Sequence, residues 1–262
     1  MSGENVSPRA QSHQEINAIR IVVADDEELA RSLVREYLKE SFDVQIVAEC
    51  ANGFQAVKAV TELKPDLLLL DIQMPRLDGF EVLDLVGRET NVIFITAYDQ
   101  YAIRAFDVHA VDYLLKPFSA ERLAEALDRA RKKIARGEST APAALVTEAR
   151  APGTKPDRVL IRDGSEVHVI PVAKIDYVEA QDDYVCYRTE GKRLLKQQTL
   201  ADAEMVLDAA RFVRIHRSYI LNVDRLAKIE LYSKDSHSAI LRDGTRLPVS
   251  RSGYSRLNAL IG

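Results

Sequence analysis

Hydrophobic and polar residues follow different patterns in the two halves of the chain. In the first half, short apolar runs alternate with segments whose apolar residues recur at helical spacing. Continuous apolar runs are typical of parallel strands that helices cover on both faces. The pattern predicts a doubly wound α/β domain with a five-stranded parallel sheet over residues 18–136. The strands are predicted at Ile21 to Ala24, Val44 to Ala48, Leu67 to Leu70, Val92 to Ile95 and Tyr113 to Leu115, and the helices near Glu27, Gly53, Gly79, Gln100 and Ala120.

The second half has short β-rich runs separated by turn signals, namely RDGSE, TEGKR and RDGTR. Two segments with helical spacing interrupt it, Leu200 to Ala209 and Ser252 to Ile261. This pattern predicts a mostly β domain over residues 158–262. Residues 137–157 are rich in Pro, Ala, Gly and Thr and have no period, so we interpret them as a flexible linker.

The N-terminal residues, the apolar runs and the two cysteines of the sequence bear on where the protein resides. Residues 1–17 are polar without an apolar core, which predicts a disordered tail rather than a signal peptide. No apolar run approaches the roughly 20 residues that span a bilayer. Cys50 and Cys186 lie far apart, so neither a disulfide framework nor a zinc site is indicated. We therefore expect a cytoplasmic protein without a membrane partner.

Charge is distributed unequally along the chain. From Lys155 onward there are 18 Lys and Arg against 15 Asp and Glu, whereas the part before it has 18 against 25. An acidic first half suits a cation or a basic protein, and a mildly basic second half tolerates polyanions. The same counts also fit two ordinary solvated surfaces.

Polar side chains follow four of the predicted strands. Asp25 and Asp26 follow the first, Asp71 the third, Thr96 the fourth and Lys116 the fifth. In a doubly wound sheet these positions converge at one edge, where ligands bind. Three carboxylates repel one another unless a hard cation such as Mg²⁺ lies among them. A carboxylate is also a competent nucleophile for phosphoryl transfer when a cation and an ammonium neutralise the transferring group.

The stretches IVVADDEELAR, LLLLDIQMPRLDGFEVL, VIFITAYDQYAIRAF and AVDYLLKPF resemble the flavodoxin-like receiver domain of bacterial response regulators over residues 20–136. The resemblance implies that Asp71 accepts a phosphoryl group from a sensor histidine kinase. It also implies that Thr96 and Tyr113 form a switch pair and that Lys116 pairs with Asp71 and then with the phosphate. The Lys116–Pro117 bond would be cis. The implied Mg²⁺ ligands are Asp25, Asp26, Asp71 and the backbone carbonyl of Gln73.

Other interpretations of these residues are open. Asp26 alone also suits a helix N-cap, and Thr96 alone suits a loop cap. A phosphatase of the haloacid dehalogenase type also uses an aspartate nucleophile, but it needs an acidic residue where Gln73 stands. A flavin-binding domain needs a Gly, Ser or Thr-rich loop after the first strand, where residues 25–28 are all acidic.

The stretches IDYVEAQDDYVCY, FVRIHRSYILNV and LPVSRSGYSRL resemble the LytTR domain, a mostly β DNA-binding module, over residues 159–261. The resemblance implies contacts to double-stranded DNA from three segments: the loop around Asp183 and Tyr184, the His216-Arg217 segment, and Ser250-Arg251 at the start of the last helix. Arg217 and Arg251 suit bidentate hydrogen bonds to guanine. Asp182 and Asp183 would repel phosphate beside the first segment. The implied DNA-binding residues are Tyr184, Arg214, His216, Arg217, Ser250 and Arg251, with Lys196 as a further phosphate contact or loop support.

Together these features predict a two-component transcriptional regulator rather than an enzyme with a separate substrate. Phosphorylation would shift the receiver towards a homodimer through residues 100–106, the fifth strand and residues 120–136. Exchangeable ion pairs there would involve Arg104, Asp107, Arg122 and Asp128. Two alternatives are a signalling adaptor whose second domain binds protein or RNA, and a constitutive enzyme acting on a small phosphate ester.

Overall fold

The computed structural model describes residues 18–87, 90–98, 101, 105, 110–137, 156–233 and 236–262. The first half forms a parallel sheet of strand order β2-β1-β3-β4-β5. This order and the alternation with helices confirm the doubly wound fold. Its strands are β1 (Ile19–Ala24), β2 (Val44–Cys50), β3 (Leu67–Leu70), β4 (Asn91–Thr96) and β5 (Asp112–Leu115), and its helices are α1 (Glu28–Leu38), α2 (Gly53–Leu63), α3 (Gly79–Val86) and α4 (Ala120–Ala135).

The central strand β3 shows why the strands of this sheet have continuously apolar sequences. Leu68 and Leu70 pack with α2 and α3 on one face, whereas Leu67 and Leu69 pack with α1 and α4 on the other. All four side chains are almost fully buried. Because both faces are covered, no polar alternation is possible in this strand.

Three helices of this half begin at side-chain caps. The Asn52 side chain caps α2, Ser119 caps α4, and Asp78 forms a capping box with Glu81 at the start of α3. Gly79 lets α3 start directly against the strand that precedes it, because a Cβ there would lie 2.5 Å from the Asp71 carbonyl oxygen. The capping residues therefore fix the ends of the loops that surround the sheet edge.

The second half is mostly β, as the pattern predicts. A five-stranded antiparallel sheet has the order β10-β9-β8-β12-β11, beside the three-stranded sheet β13-β14-β15 and the hairpin β6-β7. The strands are β6 (Arg158–Asp163), β7 (Glu166–Pro171), β8 (Ile175–Gln181), β9 (Tyr184–Thr189), β10 (Lys192–Gln197), β11 (Phe212–His216), β12 (Tyr219–Asn222), β13 (Leu226–Ser233), β14 (Ser236–Leu241) and β15 (Arg246–Val249), and the helices are α5 (Leu200–Val206) and α6 (Arg251–Ile261).

The five-stranded antiparallel sheet separates two apolar cores. Val178 and Ile220 pack with the β6-β7 hairpin and α5, whereas Tyr177 and Leu221 pack with the three-stranded sheet and α6. The three predicted turns lie between β6 and β7, β9 and β10, and β14 and β15. The second half is therefore a layered β structure with one helix on each side.

Some predicted boundaries differ from the structure or lie outside the described residues. The helix predicted to reach Ala209 ends at Val206, because Leu207 turns to an extended backbone and is buried in the core. The predicted helix start at Gln100, residues 1–17 and residues 138–155 of the predicted linker fall outside the described part. No helix in the described part is long and apolar enough to cross a bilayer.

Candidate functional site

Three aspartates meet at the carboxyl edge of the parallel sheet. Asp25 and Asp26 follow β1, and Asp71 follows the neighbouring strand β3. One carboxylate oxygen from each lies within 4.8 Å of the others. Asp25 and Asp71 are 5% and 6% exposed, whereas Asp26 is exposed. An all-oxygen set with one side open to solvent fits a hard cation that keeps part of its water shell, such as Mg²⁺.

The Lys116 ammonium joins the two buried carboxylates. Its Nζ lies 2.6 Å from Asp25 Oδ2 and 3.1 Å from Asp71 Oδ2. The Lys116–Pro117 peptide bond is cis, as the resemblance implies. The Lys116 amide donates to the Thr96 carbonyl at 2.7 Å, so β4 and β5 together position the ammonium.

The site holds excess negative charge in a poorly solvated place. Burial raises the pKa of Asp71, the Lys116 ammonium opposes that shift, and the Asp25 carboxylate adds to it. Burial alone would lower the pKa of Lys116, but the two carboxylates outweigh it and the pKa lies above its ordinary value. One ammonium therefore does not fully compensate the carboxylates, and a further cation would stabilise them.

Thr96 and Tyr113 occupy the predicted switch positions on adjacent strands. Thr96 is fully buried, and its Oγ1 has no hydrogen-bond partner in the described part of the chain. Leaving such a hydroxyl unpaired costs free energy, so this donor is available for a group at the sheet edge. Tyr113 packs beside the core, and its hydroxyl donates to the Tyr98 carbonyl.

The backbone around Asp25 involves a residue that the sequence reasoning missed. Arg31 Nη1 donates to the Asp25 carbonyl at 2.7 Å, and the Glu27 amide donates to Asp25 Oδ1 at 2.9 Å. The N-cap of α1 is Glu27, whose side chain makes no capping hydrogen bond, so the capping alternative for Asp26 is wrong. Gln73 is exposed, and its backbone amide donates to Asp71 Oδ1 at 3.3 Å. No pattern in the sequence indicated this contact of Arg31.

In the second half, the three predicted DNA-contacting segments lie along one edge. The amide of Ala180, at the end of β8, donates to the Ser218 carbonyl in the β11-β12 turn at 2.9 Å. The amide of Ser250, just before α6, donates to the Ile215 carbonyl at 2.9 Å. We call this line of segments the loop edge: the β8-β9 turn, the β11-β12 turn and the start of α6.

Three predicted side chains on the loop edge are exposed, and for two others the structure gives polar contacts within the protein. Tyr184, Arg217 and Arg251 are exposed. Arg214 pairs with Glu204 at 3.1 Å, and the Ser250 hydroxyl donates to the Ile215 carbonyl and accepts from the Gly253 amide. These two therefore support the edge in this conformation.

Two further predicted residues at or near the loop edge have partners. His216 Nδ1 accepts from the Ser218 backbone amide at 3.2 Å, so this ring nitrogen has a partner within the protein. Lys196 Nζ lies 3.4 Å from Asp84 Oδ2, so this ammonium pairs with a carboxylate of α3 rather than with its own domain.

Known proteins show the same division of the chain. A model described as the response regulator receiver domain matches residues 21–128, and one described as the LytTr DNA-binding domain matches residues 165–262. An uncharacterized response regulatory protein of Yersinia pestis is 33% identical over 248 residues, covering 93% of this chain and 99% of that protein. The transcriptional regulatory protein BtsR of Escherichia coli is 35% identical over 248 residues with the same coverage.

Among solved structures, the REC domain of AraT from Geobacillus stearothermophilus is 32% identical. The match covers 45% of this chain and 97% of the AraT chain, with a TM-score of 0.42. The family models and the full-length relatives define the class of protein. The chain belongs to the response regulators that join a receiver domain to a LytTR DNA-binding domain. In function it is a phosphorylation-regulated transcription regulator, and the resemblances found in the sequence are confirmed.

Proposed function

We propose that Asp71 is the phosphoacceptor and that a sensor histidine kinase in the cytoplasm is its donor. The observation that carries this proposal is the buried Asp71 carboxylate held against Lys116 and within 4.8 Å of Asp25 and Asp26. An Asp71 oxygen forms a bond to phosphorus as the bond from phosphorus to the kinase histidine nitrogen breaks. The released imidazole nitrogen then takes up a proton.

Each neighbouring residue has a role in that transfer. The carboxylates of Asp25, Asp26 and Asp71 and the Gln73 carbonyl would hold Mg²⁺, which neutralises phosphoryl oxygens when bound. Lys116 exchanges its contact with Asp71 for a phosphoryl oxygen, because an ammonium favours the more negative partner. The unpaired Thr96 hydroxyl donates to another phosphoryl oxygen, and Tyr113 on the next strand moves towards the space that Thr96 leaves. The receiver has no chemistry beyond forming and hydrolysing its own phosphoaspartate.

Phosphorylation of the purified chain by acetyl phosphate tests the acceptor assignment. Intact-mass measurement of the wild type with Mg²⁺ should show one added phosphoryl group, which excess EDTA prevents. Asp71→Asn should add none, whereas the control Glu36→Gln, which changes an exposed carboxylate of α1, should react like the wild type. Equal incorporation into Asp71→Asn would reject the assignment.

We infer that the loop edge binds double-stranded DNA. Arg217 and Arg251 would read base edges, and Tyr184 and His216 would contact the backbone beside them. The ion-paired Arg214 and the capping hydroxyl of Ser250 would contact DNA only after leaving their present partners. Exposed arginines on a single edge support this arrangement.

DNA binding measured across a salt series tests the loop edge. Arg217→Ala and Arg251→Ala should each weaken binding to a selected genomic duplex by about 1–3 kcal/mol. Arg242→Ala is the matched control, because Arg242 is exposed in the β14-β15 turn at the opposite end of β15 from Ser250. Unchanged affinity in both edge variants would reject this assignment, and no duplex binding in the wild type would favour the adaptor alternative.

We also propose that phosphorylation dimerises the receiver. The described part of the predicted dimer face contains Asp112, which pairs with Arg122 and Arg129 at 2.8 Å each, and Asp128, which pairs with Arg131 at 2.6 Å. The predicted Arg104 and Asp107 lie outside the described residues. Joining two DNA-binding domains would raise affinity for repeated half-sites through effective concentration. Sedimentation with and without acetyl phosphate should show a dimer only in the phosphorylated sample, and a monomer in both would reject it.

A further inference from the structure

The β6-β7 hairpin of the second domain has two apolar faces. On one face, Val159, Ile161 and Ile170 pack in the core of the DNA-binding domain. On the other face, Leu160 is 5% exposed and packs into the receiver core formed with α2 and α3, and the half-buried Val167 packs beside it. A strand with both faces apolar needs cover on both sides. Here the receiver supplies the second cover.

Ion pairs surround this apolar contact. Arg158 Nη2 lies 3.0 Å from Glu81 Oε2 and 2.6 Å from the Arg76 carbonyl oxygen. Lys196 Nζ on β10 lies 3.4 Å from Asp84 Oδ2. Both carboxylates belong to α3, and both cations belong to the second domain. We call Arg158, Leu160, Val167 and Lys196 the receiver-docking surface.

The receiver-docking surface contacts the segment that directly follows Asp71. Arg76 lies in the loop between Asp71 and α3. The Gly79 amide donates to the Ile72 carbonyl at 2.8 Å, and the Gly79 backbone leaves no room for a Cβ beside the Asp71 carbonyl. A shift of the Asp71 backbone therefore moves the loop and the first turn of α3, which carry both partners of Arg158.

The same surface also borders the loop edge. Lys196 pairs across β10 and β9 with Val185, and the next pair joins Gln197 to Tyr184. In the docked arrangement Asp84 engages a cation next to the loop edge. Lys196 is a predicted phosphate contact, and a DNA phosphate that used it would displace this carboxylate, so docking would compete with such a contact.

We propose that the receiver-docking surface holds the DNA-binding domain in a low-affinity arrangement and that phosphorylation of Asp71 weakens this contact. The inference rests on the proposed phosphoacceptor and loop edge. Because the coupling is reciprocal, DNA that favours the undocked form also favours the phosphorylated receiver. Docking thus keeps the unphosphorylated chain from binding its sites.

The substitution Leu160→Glu tests the apolar contact in the full-length, unphosphorylated protein. Its radius of gyration in X-ray scattering should exceed that of the wild type, and its affinity for a genomic duplex should rise about fivefold or more. Val169→Glu is the matched control, because Val169 is the cross-strand partner of Leu160 on the same face but is 41% exposed. Wild-type scattering and affinity in Leu160→Glu, or equal changes in Val169→Glu, would overturn the proposal.

A charge exchange keeps the test decisive if Leu160→Glu fails to fold. Asp84→Lys should raise duplex affinity, and adding Lys196→Asp should restore the compact scattering profile. Glu81→Gln keeps the capping box of α3 but removes the charge that Arg158 contacts, so it should also weaken docking. No change in scattering for any of these variants would overturn the proposal.

The outcome also separates docking from the proposed function. If Asp71 is not the acceptor, acetyl phosphate has the same effect on Asp71→Asn as on the wild type, while the docking variants still expand. If docking is wrong, acetyl phosphate raises affinity and the docking variants match the wild type. If the second domain does not bind DNA, scattering alone still reports docking.

Discussion

The packing of α6 against β11 depends on the absence of a side chain at Gly253. This buried residue lies in the first turn of α6. A Cβ there would lie 1.8 Å from the Ile215 carbonyl oxygen, 2.4 Å from its carbonyl carbon and 2.8 Å from its Cα. All three atoms are backbone, so no side-chain rotation relieves the overlap. Gly253→Ala must therefore push the helix away from the sheet.

The cost follows from what that movement breaks. The Ser250 amide and hydroxyl both donate to the Ile215 carbonyl, at 2.9 and 3.1 Å. Overpacking typically costs about 1–3 kcal/mol, and each lost hydrogen bond costs about 0.5–1.5 kcal/mol. The higher helix propensity of alanine returns about 1 kcal/mol. We expect Gly253→Ala to lower the free energy of unfolding by about 1–5 kcal/mol.

Urea unfolding of the full chain, followed by circular dichroism, measures this loss. Asn258→Ala is the control, because Asn258 is exposed on the same helix and should change stability by less than about 0.5 kcal/mol. Gly253→Ala should also weaken DNA binding, since Arg251 is two residues away on the displaced turn. A stability change in Gly253→Ala as small as that of the control would refute the steric reasoning.

Three further predictions concern single contacts and the metal. The Arg131 guanidinium lowers the pKa of Asp43 through a side-chain hydrogen bond, so the contact stabilises the fold above the unfolded-state pKa and is lost as pH falls through the folded-state pKa. Asp43→Asn should cost less than about 1 kcal/mol at neutral pH, because the pair is partly exposed, and nothing in strong acid; an equal cost at both pH values in unfolding titrations would contradict this. Asn222 is fully buried and donates to the Ile175 carbonyl at 2.7 Å, so Asn222→Leu should cost about 1–3 kcal/mol in urea unfolding, and no loss would argue that the carbonyl finds another donor. Mg²⁺ at about 100 times its dissociation constant should stabilise the wild type by about 2.7 kcal/mol in thermal melts, and Asp26→Asn should reduce that shift; equal shifts would remove Asp26 from the ligands.

The sequence was sufficient to predict the parallel sheet and the residues at its carboxyl edge. Buried strands such as β3 leave an unmistakable apolar run, and topology alone brings their ends together. The role of Arg31 was not predictable, because its side chain contacts the backbone carbonyl of Asp25, six residues earlier. That contact depends on the path of the chain between β1 and α1. The sequence predicts Ser250 as a DNA contact, and this stays a prediction. The structure adds that the Ser250 hydroxyl caps α6, which the sequence alone did not indicate.

The receiver-docking surface shows a different limit. The run Val159, Leu160 and Ile161 is continuously apolar, which indicates a strand covered on both faces. That pattern does not say which surface provides the second cover. Only the fold places Leu160 against the receiver core.

Duplex affinity with and without acetyl phosphate, measured for the wild type and for Asp71→Asn, tests most directly that phosphorylation at Asp71 controls DNA binding. We expect acetyl phosphate with Mg²⁺ to tighten binding of the wild type and to leave Asp71→Asn unchanged. An equal increase in Asp71→Asn, or no increase in a wild type shown by mass to be phosphorylated, would contradict the mechanism.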